Sequence, residues 1–362
     1  MRNESFEFLK ALLAAPSPSG FEAPGQRVWC QYARQFADEV RTDAYGNAVA
    51  VLNPDGDPKL VFDGHADELG MMVTYIDDKG FISIQRIGGI DPALVRGKRV
   101  RIHTRDGILP GVVGATAIHL LPRDGEKKAP KWPELFIDIG AADGDDARKK
   151  VRVGDVVTFA YDFEMLNDNV AVARAFDNRV GTWCAIEGLR LAKEALGKGR
   201  NGRKLHCAIY ACASVQEEVG GAGAAMNAAA IRPDAAIVVD VTHATDSPGI
   251  DVKEHGETKL GQGPSLSIGR ENHPALNELI IKAAKAAKIP LQFEAFGISG
   301  GTNALTIYTK NGGIPCSVVG LPNRYMHTTV EMIDLRDLTR IADLLAASAL
   351  AIRKGQRFRV EV

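Results

Sequence analysis

The chain has 362 residues, of which 45% are hydrophobic and 25% charged, a balance typical of a folded globular protein. This length suffices for one large α/β domain and a smaller one. The 44 basic and 45 acidic residues leave a net charge of −1, so the composition does not favour a nucleic-acid partner or an anionic membrane.

The chain begins with two predicted helices. The first ends before Pro16, because proline cannot continue a helix, and the second runs from Glu22 to Val40. Charged residues interrupt the apolar part of the first helix, which argues against a signal peptide, and the chain has no apolar run long enough to span a bilayer. The five cysteines form no CxxC pair and are expected to be reduced packing residues of a cytoplasmic protein.

Two short strands follow, at residues 48–52 and 59–62. The second leads directly into Gly64–Gly70, which carries His65 and Asp67. An α/β sheet places ligand-binding groups at the carboxyl ends of its strands in this way.

Residues 71–164 have a different pattern. Six short strand-like runs are separated by turn dipeptides such as Gly88-Gly89, and only residues 142–149 have helical character. We therefore predict a small inserted all-β domain, a barrel or sandwich, between two parts of an α/β domain at 1–70 and 165–362.

The α/β pattern resumes after this insertion. A helix is predicted from Asn178 to Leu196 and a closing helix from Asp334 to Arg353, with core strands at 204–213, 235–239 and 315–320 between them. The alternation of helices and apolar strands predicts an α/β domain with a central sheet covered by helices. We expect this central sheet to be mixed.

The strand that begins at Lys204 is apolar on both faces, as expected for a central strand, and is followed by Glu217 and Glu218. Two adjacent carboxylates near a buried strand end repel each other and lose solvation, so a cation is the expected compensation. A solvated turn at the strand end is the alternative.

Histidine or carboxylate groups follow five strand-like segments. They are His65 with Asp67, Asp177, Glu217 with Glu218, Asp240, and His327. Each has an ordinary alternative, such as a helix N-cap for Asp177 or a solvated strand end for Asp240. Because all lie at the same kind of position, the pattern favours a divalent-metal site, with enough ligands for two ions that share a carboxylate.

The chain resembles the tetrahedral (TET) aminopeptidases, the glutamyl and deblocking group of dinuclear zinc exopeptidases. The resemblance covers nearly the whole chain through segments in the family's order. These are PSGFE at 18–22, GHADELG at 64–70, AFDNRVG at 175–181, SVQEEVGGAGA at 214–224, DVTHATDSPG at 240–249, GGTNA at 300–304 and LPNRYMHTTVE at 321–331. Asn303 departs from the aspartate of many relatives, with no consequence that threatens the metal site.

The resemblance implies a role for each candidate. His65 and Asp240 would hold one ion, Glu218 and His327 the other, and Asp177 would bridge both. Asp67 would orient His65. Glu217 would remain unligated as the general base, while a hydroxide bridging the ions attacks the peptide carbonyl. Zinc is the expected metal, with cobalt and manganese as alternatives.

The resemblance also implies the assembly of the protein. The inserted domain would be PDZ-like and drive dimerisation, and the dimers would form a dodecameric tetrahedron acting on short peptides. The peptide bond after Asp177 can be cis in this family. His119, in the inserted domain, is a candidate to reach the active site of a neighbouring subunit.

The same residues have three alternative functions besides a metal-dependent aminopeptidase. A glycoside hydrolase would need carboxylates roughly 5 to 9 Å apart across a sugar and would leave the histidines without a role. A non-catalytic assembly protein would be expected to lack a ligand or the base. A metal-dependent deacylase of small N-acyl substrates uses the same ligands, so only a substrate panel separates it from a peptidase.

Overall fold

The computed structural model describes residues 1–120, 129–196 and 204–362; the rest of the chain, including residues 121–128 of the predicted insertion, lies outside this description. The α-helices are α1 Asn3–Ala14, α2 Ala23–Ala33, α3 Gly144–Lys150, α4 Phe176–Ala195, α5 Ala222–Ile231, α6 Val252–His255, α7 Pro274–Ala287, α8 Ala304–Ile307 and α9 Leu335–Ala351.

The strands form one large sheet and one barrel. The sheet strands are β1 Glu39–Thr42, β2 Ala48–Leu52, β3 Lys59–His65, β10 Glu164–Met165, β11 Val170–Ala173, β12 Ala208–Ser214, β13 Ala235–His243, β14 Ser265–Gly269, β15 Gln292–Phe296, β16 Cys316–Arg324 and β17 Glu331–Asp334. The barrel strands are β4 Gly70–Ile76, β5 Ile82–Ile87, β6 Arg99–Thr104, β7 Gly107–Val113, β8 Phe136–Asp138 and β9 Val156–Phe159.

The large sheet is mixed, in the order β1-β2-β12-β3-β13-β16-β17-β11-β10, with β14 and β15 attached beside β16. Its centre, β12, β3, β13 and β16, is parallel. Strand β17 is antiparallel to β16, and β11 is antiparallel to β17. Strand β11 therefore runs in the same direction as β16. The predicted mixed sheet covered by helices is therefore confirmed.

Strand β12 is buried on both faces, as its sequence predicts. Ile209, Ala211 and Ala213 pack into the core beneath α1, α2, α4 and α9, whereas Tyr210 and Cys212 pack with α5 and α8 on the other face. Successive side chains of a strand point to opposite faces, so β12 contributes to two apolar layers. A strand of this kind is stable where both faces of the sheet are covered.

Long helices on one face hold the amino-terminal segment to the rest of the fold. Trp183 of α4 is almost fully buried and donates its indole N–H to the carbonyl oxygen of Ser5 in α1 at 2.8 Å. Burial of one such large side chain contributes about 1.5–3 kcal/mol, and its polar atom is satisfied at the same time. Helix α4, whose first residues include Asp177, is thereby held rigidly against the sheet.

The inserted segment forms a closed six-stranded antiparallel barrel in the order β4-β5-β8-β7-β6-β9. It has its own core, which includes Met71, Val100, Ile102 and Ile137, each almost fully buried. Closure pairs both edges of each strand, which removes the exposed edges that a small isolated sheet would present. The small all-β insertion is thus confirmed as a barrel.

Some predicted elements differ from the structure. The helix expected over 22–40 ends at Ala33, because residues from Glu39 pair with β2 as strand β1. Asp240 lies within β13 rather than just after it, since that strand continues to His243 beside β16. Strands β14 and β17 have only five and four residues and were not predicted.

Among the described residues, no helix is both long and apolar enough to cross a membrane.

Candidate active site

The candidate residues meet at one edge of the large sheet. His65 is the last residue of β3, Glu217 and Glu218 lie in the turn after β12, and His327 follows β16. Asp177 lies at the start of α4, which follows β11. Because these strands run in one direction, their carboxyl ends lie together although the residues are up to 262 positions apart in the sequence.

Asp177 lies between the two histidines. Its Oδ1 is 3.0 Å from Nε2 of His65, and its Oδ2 is 3.3 Å from Nε2 of His327. Each carboxylate oxygen therefore faces a different imidazole nitrogen. This is the arrangement required of a carboxylate that bridges two ions.

The remaining carboxylates divide between the two sides. Oδ1 of Asp240 is 3.8 Å from Nε2 of His65, and Oε2 of Glu218 is 3.7 Å from Nε2 of His327. Ligand atoms of His65, Asp177 and Glu218 lie within 4.8 Å of one another. Two groups of donors thus share Asp177, each with one imidazole and one further carboxylate.

Burial makes this concentration of negative charge costly. Burial raises the pKa of Glu218 and of Asp240 well above the usual value, and repulsion by Asp177 adds to both shifts. Although burial disfavours its charged form, hydrogen bonds with Asp177 and Asp67 raise the pKa of His65. Without a cation, protons are the available compensation for these carboxylates.

The donor set fits divalent metal ions. Neutral imidazole nitrogen and carboxylate oxygen are suitable ligands for zinc, cobalt and manganese. Oε1 of Glu218 is buried and has no hydrogen-bond partner among the described residues, so it is available to a cation. His65, Asp177, Glu218, Asp240 and His327 could hold two ions between them.

Comparison with known proteins identifies the family. The sequence pattern of the M42 glutamyl aminopeptidases matches residues 46–344. This chain belongs to the M42 glutamyl aminopeptidase family. It is therefore a metal-dependent aminopeptidase, a hydrolase of peptide bonds that uses divalent metal.

Individual relatives agree with this assignment. The lysyl aminopeptidase of Pyrococcus furiosus is 32% identical over 94% of this chain and 96% of its own length. A TET aminopeptidase from a marine-sediment thaumarchaeon has 33% identity and a TM-score of 0.89, with 95% of each chain covered. The TET1 peptidase of Pyrococcus horikoshii, which can assemble into a tetrahedron or a large octahedral shell, has 30% identity and a TM-score of 0.83 over 95% of this chain and 99% of its own. The resemblance to the TET aminopeptidases is confirmed.

In this M42 aminopeptidase, Asp67 connects two parts of the site. Its Oδ1 lies 3.3 Å from Nδ1 of His65 and accepts a hydrogen bond of 2.9 Å from the backbone N–H of Glu217. Its Oδ2 accepts from the backbone of Glu218 at 3.1 Å and from the hydroxyl of Ser19 at 2.6 Å. Asp67 therefore orients an imidazole and also holds the turn that carries both glutamates.

Glu217 has different surroundings from Glu218. Its side chain is 16% exposed, against 5% for Glu218, and its Oε2 lies 3.8 Å from Nε2 of His65. Burial raises the pKa of Glu217 above its usual value. A carboxylate with this position and a raised pKa can take up and release a proton beside the metal ligands.

The M42 site opens into a cavity of about 420 Å³. Its lining includes the candidate ligands and also Phe296, Met326 and residues 299–302. This volume lies within the range of small-molecule sites and can receive one end of a peptide.

Sequence reasoning missed two acidic residues that support the site. Glu331 is 2% exposed, and its Oε2 accepts a hydrogen bond of 2.9 Å from the backbone N–H of Asp177. Glu68 is also 2% exposed and forms ion pairs with Arg174 and Arg179. Both acids lie inside the segments that resemble the family, which was the available signal, but their partners are more than 100 residues away.

Proposed function

We propose that this aminopeptidase removes amino-terminal residues from short peptides with the help of two divalent metal ions. Zinc is the expected metal. The proposal rests on one observation, the position of Asp177 with one oxygen toward His65 and the other toward His327. In this proposal His65 and Asp240 would hold one ion, Glu218 and His327 would hold the other, and Asp177 would be a ligand of both.

The protein side chains then divide the reaction between them. When bound, two such ions polarise the scissile carbonyl and lower the pKa of a water molecule. Glu217 takes the proton from the attacking water and later delivers it to the leaving amine. Asp67 keeps His65 in the tautomer with a proton on Nδ1, which leaves the Nε2 lone pair directed into the site.

The proposal extends to domain organisation and assembly. Residues 1–70 and 165–362 would form the catalytic domain, and residues 71–164 the domain for dimerisation. Assembly of dimers into a tetrahedral dodecamer is supported by the tetrahedron of the Pyrococcus horikoshii relative. His119 is exposed in a short 3₁₀ helix, and its contact with a neighbouring active site stays a prediction.

A cytoplasmic location is part of the same proposal. All five cysteines are free and buried, which fits a reducing compartment.

A panel of aminoacyl-p-nitroanilides tests the activity. Protein stripped with EDTA should lose turnover, and zinc, cobalt or manganese, restored separately, should return it to different extents. Light scattering on the same samples measures assembly size. Full activity in the stripped protein, verified free of metal by mass spectrometry, would contradict the metal-dependent mechanism.

The deacylase alternative requires matched substrates. Leucine-p-nitroanilide has a free amine and an anilide, its N-acetyl derivative has a blocked amine and an anilide, and N-acetyl-leucine has a blocked amine and a free carboxylate. An aminopeptidase releases nitroaniline from the first alone, whereas a deacylase releases acetate from the other two. Cleavage of the acetylated compounds at the higher rate would overturn the peptidase proposal.

A further inference from the structure

The β barrel reaches the candidate metal site through a two-glycine turn. Gly88 and Gly89 follow β5, and the barrel-core residue Ile90 comes directly after them with 3% exposure. Ile87, at the end of β5, is also buried. Buried residues on both sides fix the turn to the barrel, so the turn cannot move independently of that domain.

Both residues of this turn lie close to candidate ligands, Gly89 to His327 and Gly88 to Glu218. The backbone of Gly89 lies beside the ring of His327. A Cβ added at Gly89 would lie 3.1 Å from Nδ1 of that ring, and one added at Gly88 would lie 3.4 Å from Cβ of Glu218. The absence of a side chain at Gly89 leaves the space that the ring of His327 occupies, whereas a side chain at Gly88 would first clash with Leu69.

The position of Gly89 distinguishes the two nitrogens of the His327 ring. Nε2 faces Asp177 and Glu218, so the nitrogen near Gly89 is Nδ1. If Nδ1–H donates to the carbonyl oxygen of Gly89, the Nε2 lone pair is available to an ion. His65 has the corresponding contact from Asp67, which belongs to the loop after β3 rather than to the barrel.

The surroundings of the two histidines also differ in rigidity. The side chain of His65 is 2% exposed, whereas that of His327 is 42% exposed. His327 also has a positive φ of 60°, a conformation that is uncommon for a residue other than glycine. Packing alone therefore constrains the ring of His327 less than that of His65. The orientation of the His327 ring depends more on its contact with Gly89.

We propose that Gly89 is a positioning residue for the His327–Glu218 half of the site, and that the barrel thereby completes this half by orienting His327. This inference rests on the proposed two-ion function. It makes the two halves unequal: the His65–Asp240 half is built entirely from the large sheet and its loops, and the His327–Glu218 half needs the docked barrel.

Substitution of Gly89 in the full-length protein tests this role. Gly89→Val should push the ring of His327 away. The affinity for one of the two zinc ions should then fall about 10- to 100-fold, while the other ion binds as in the wild type. Zinc per chain after dialysis and isothermal titration measure this without an activity assay. Ala142→Val is the control, because it adds a valine at an exposed position of the same inserted segment.

The outcomes separate this inference from the proposed function. Wild-type protein that binds fewer than two ions would contradict the two-ion site and this inference with it. If Gly89→Val bound two ions with wild-type affinity, only the role of Gly89 would be overturned. The same would follow if the affinity for both ions fell equally. If Gly89→Val does not fold, Gly89→Ala provides the test, since its Cβ requires a shift of the ring by a few tenths of an ångström. Unchanged zinc affinity in that variant would also overturn the role.

Discussion

Glu331 holds Asp177 through a hydrogen bond of 2.9 Å from the backbone N–H of Asp177 to its Oε2. The donor is the main chain, so Glu331 fixes the start of α4 and leaves both carboxylate oxygens of Asp177 free. These are the oxygens that face His65 and His327. The position of Asp177 between the two histidines therefore depends on a buried acid that is not itself among the candidate ligands.

Replacement of Glu331 should weaken metal binding. In Glu331→Ala, the N–H of Asp177 loses its acceptor and the carboxylate loses its fixed orientation, so zinc affinity should fall about 10- to 100-fold. Isothermal titration of the EDTA-treated protein measures this change. Glu257→Ala, at a side chain 63% exposed, is the control. Equal zinc affinity in both variants would show that Glu331 does not position Asp177.

Glu217 and Glu218 should respond differently to the same substitution. Glu217→Gln should keep two zinc ions but lose about 10²- to 10⁴-fold in kcat, because the amide cannot accept the proton from water. Glu218→Gln should bind one ion less tightly. Metal analysis and leucine-p-nitroanilide kinetics on the same preparations distinguish these effects. Substantial turnover by metal-loaded Glu217→Gln would exclude Glu217 as the base.

The ion pairs of Glu68 should be important for stability. Glu68 lies 2.7 Å from Arg179 and also pairs with Arg174, and all three side chains are at most 5% exposed. Glu68→Gln leaves two buried cations without a counter-charge and should cost about 3–5 kcal/mol in the free energy of unfolding. Chemical denaturation of metal-free protein measures it.

An exposed ion pair provides the control for Glu68. Glu278 and Lys282 lie 3.8 Å apart on α7 with side chains 63% and 78% exposed. Glu278→Gln should change the free energy of unfolding by no more than about 0.5 kcal/mol. If the two glutamine variants had similar stability, the buried network would not contribute as proposed.

His103 should contribute to the loss of stability in acid. Burial lowers the pKa of His103 to about 4, and repulsion by Arg174 adds to this effect. Below pH 6.5 the unfolded ring takes up a proton that the folded ring does not, so stability should fall as the pH falls from 6.5 towards 4. This loss of stability is largely complete once the pH has fallen to the pKa of His103 in the folded protein.

Replacement of His103 should remove this component. The free energy of unfolding of His103→Gln should depend less on pH between 6.5 and 4 than that of the wild type. His255→Gln is the matched control, since that side chain is 53% exposed. Denaturation curves at several pH values provide the comparison, and parallel pH profiles for all three proteins would contradict the prediction.

Much of the fold follows from local sequence patterns. The two apolar faces of β12, the all-β character of the insertion and the ends of most core strands are short-range features, and the structure agrees with them. The second helix was predicted too long because periodicity over 34–40 does not reveal that β2 offers a strand partner to residues from Glu39.

The sequence by itself determined which residues could form the site, because His65, Asp177, Glu217, Glu218, Asp240 and His327 all lie at or near strand ends of one sheet. Their pairing was expected from the family resemblance and not from spacing, and only the tertiary structure gives the distances between them. Which oxygen of Asp177 faces which histidine, and the contacts of Gly89 and Glu331, depend on strand order and domain docking. These contacts join residues that are distant along the chain, and local periodicity contains no information about such distances.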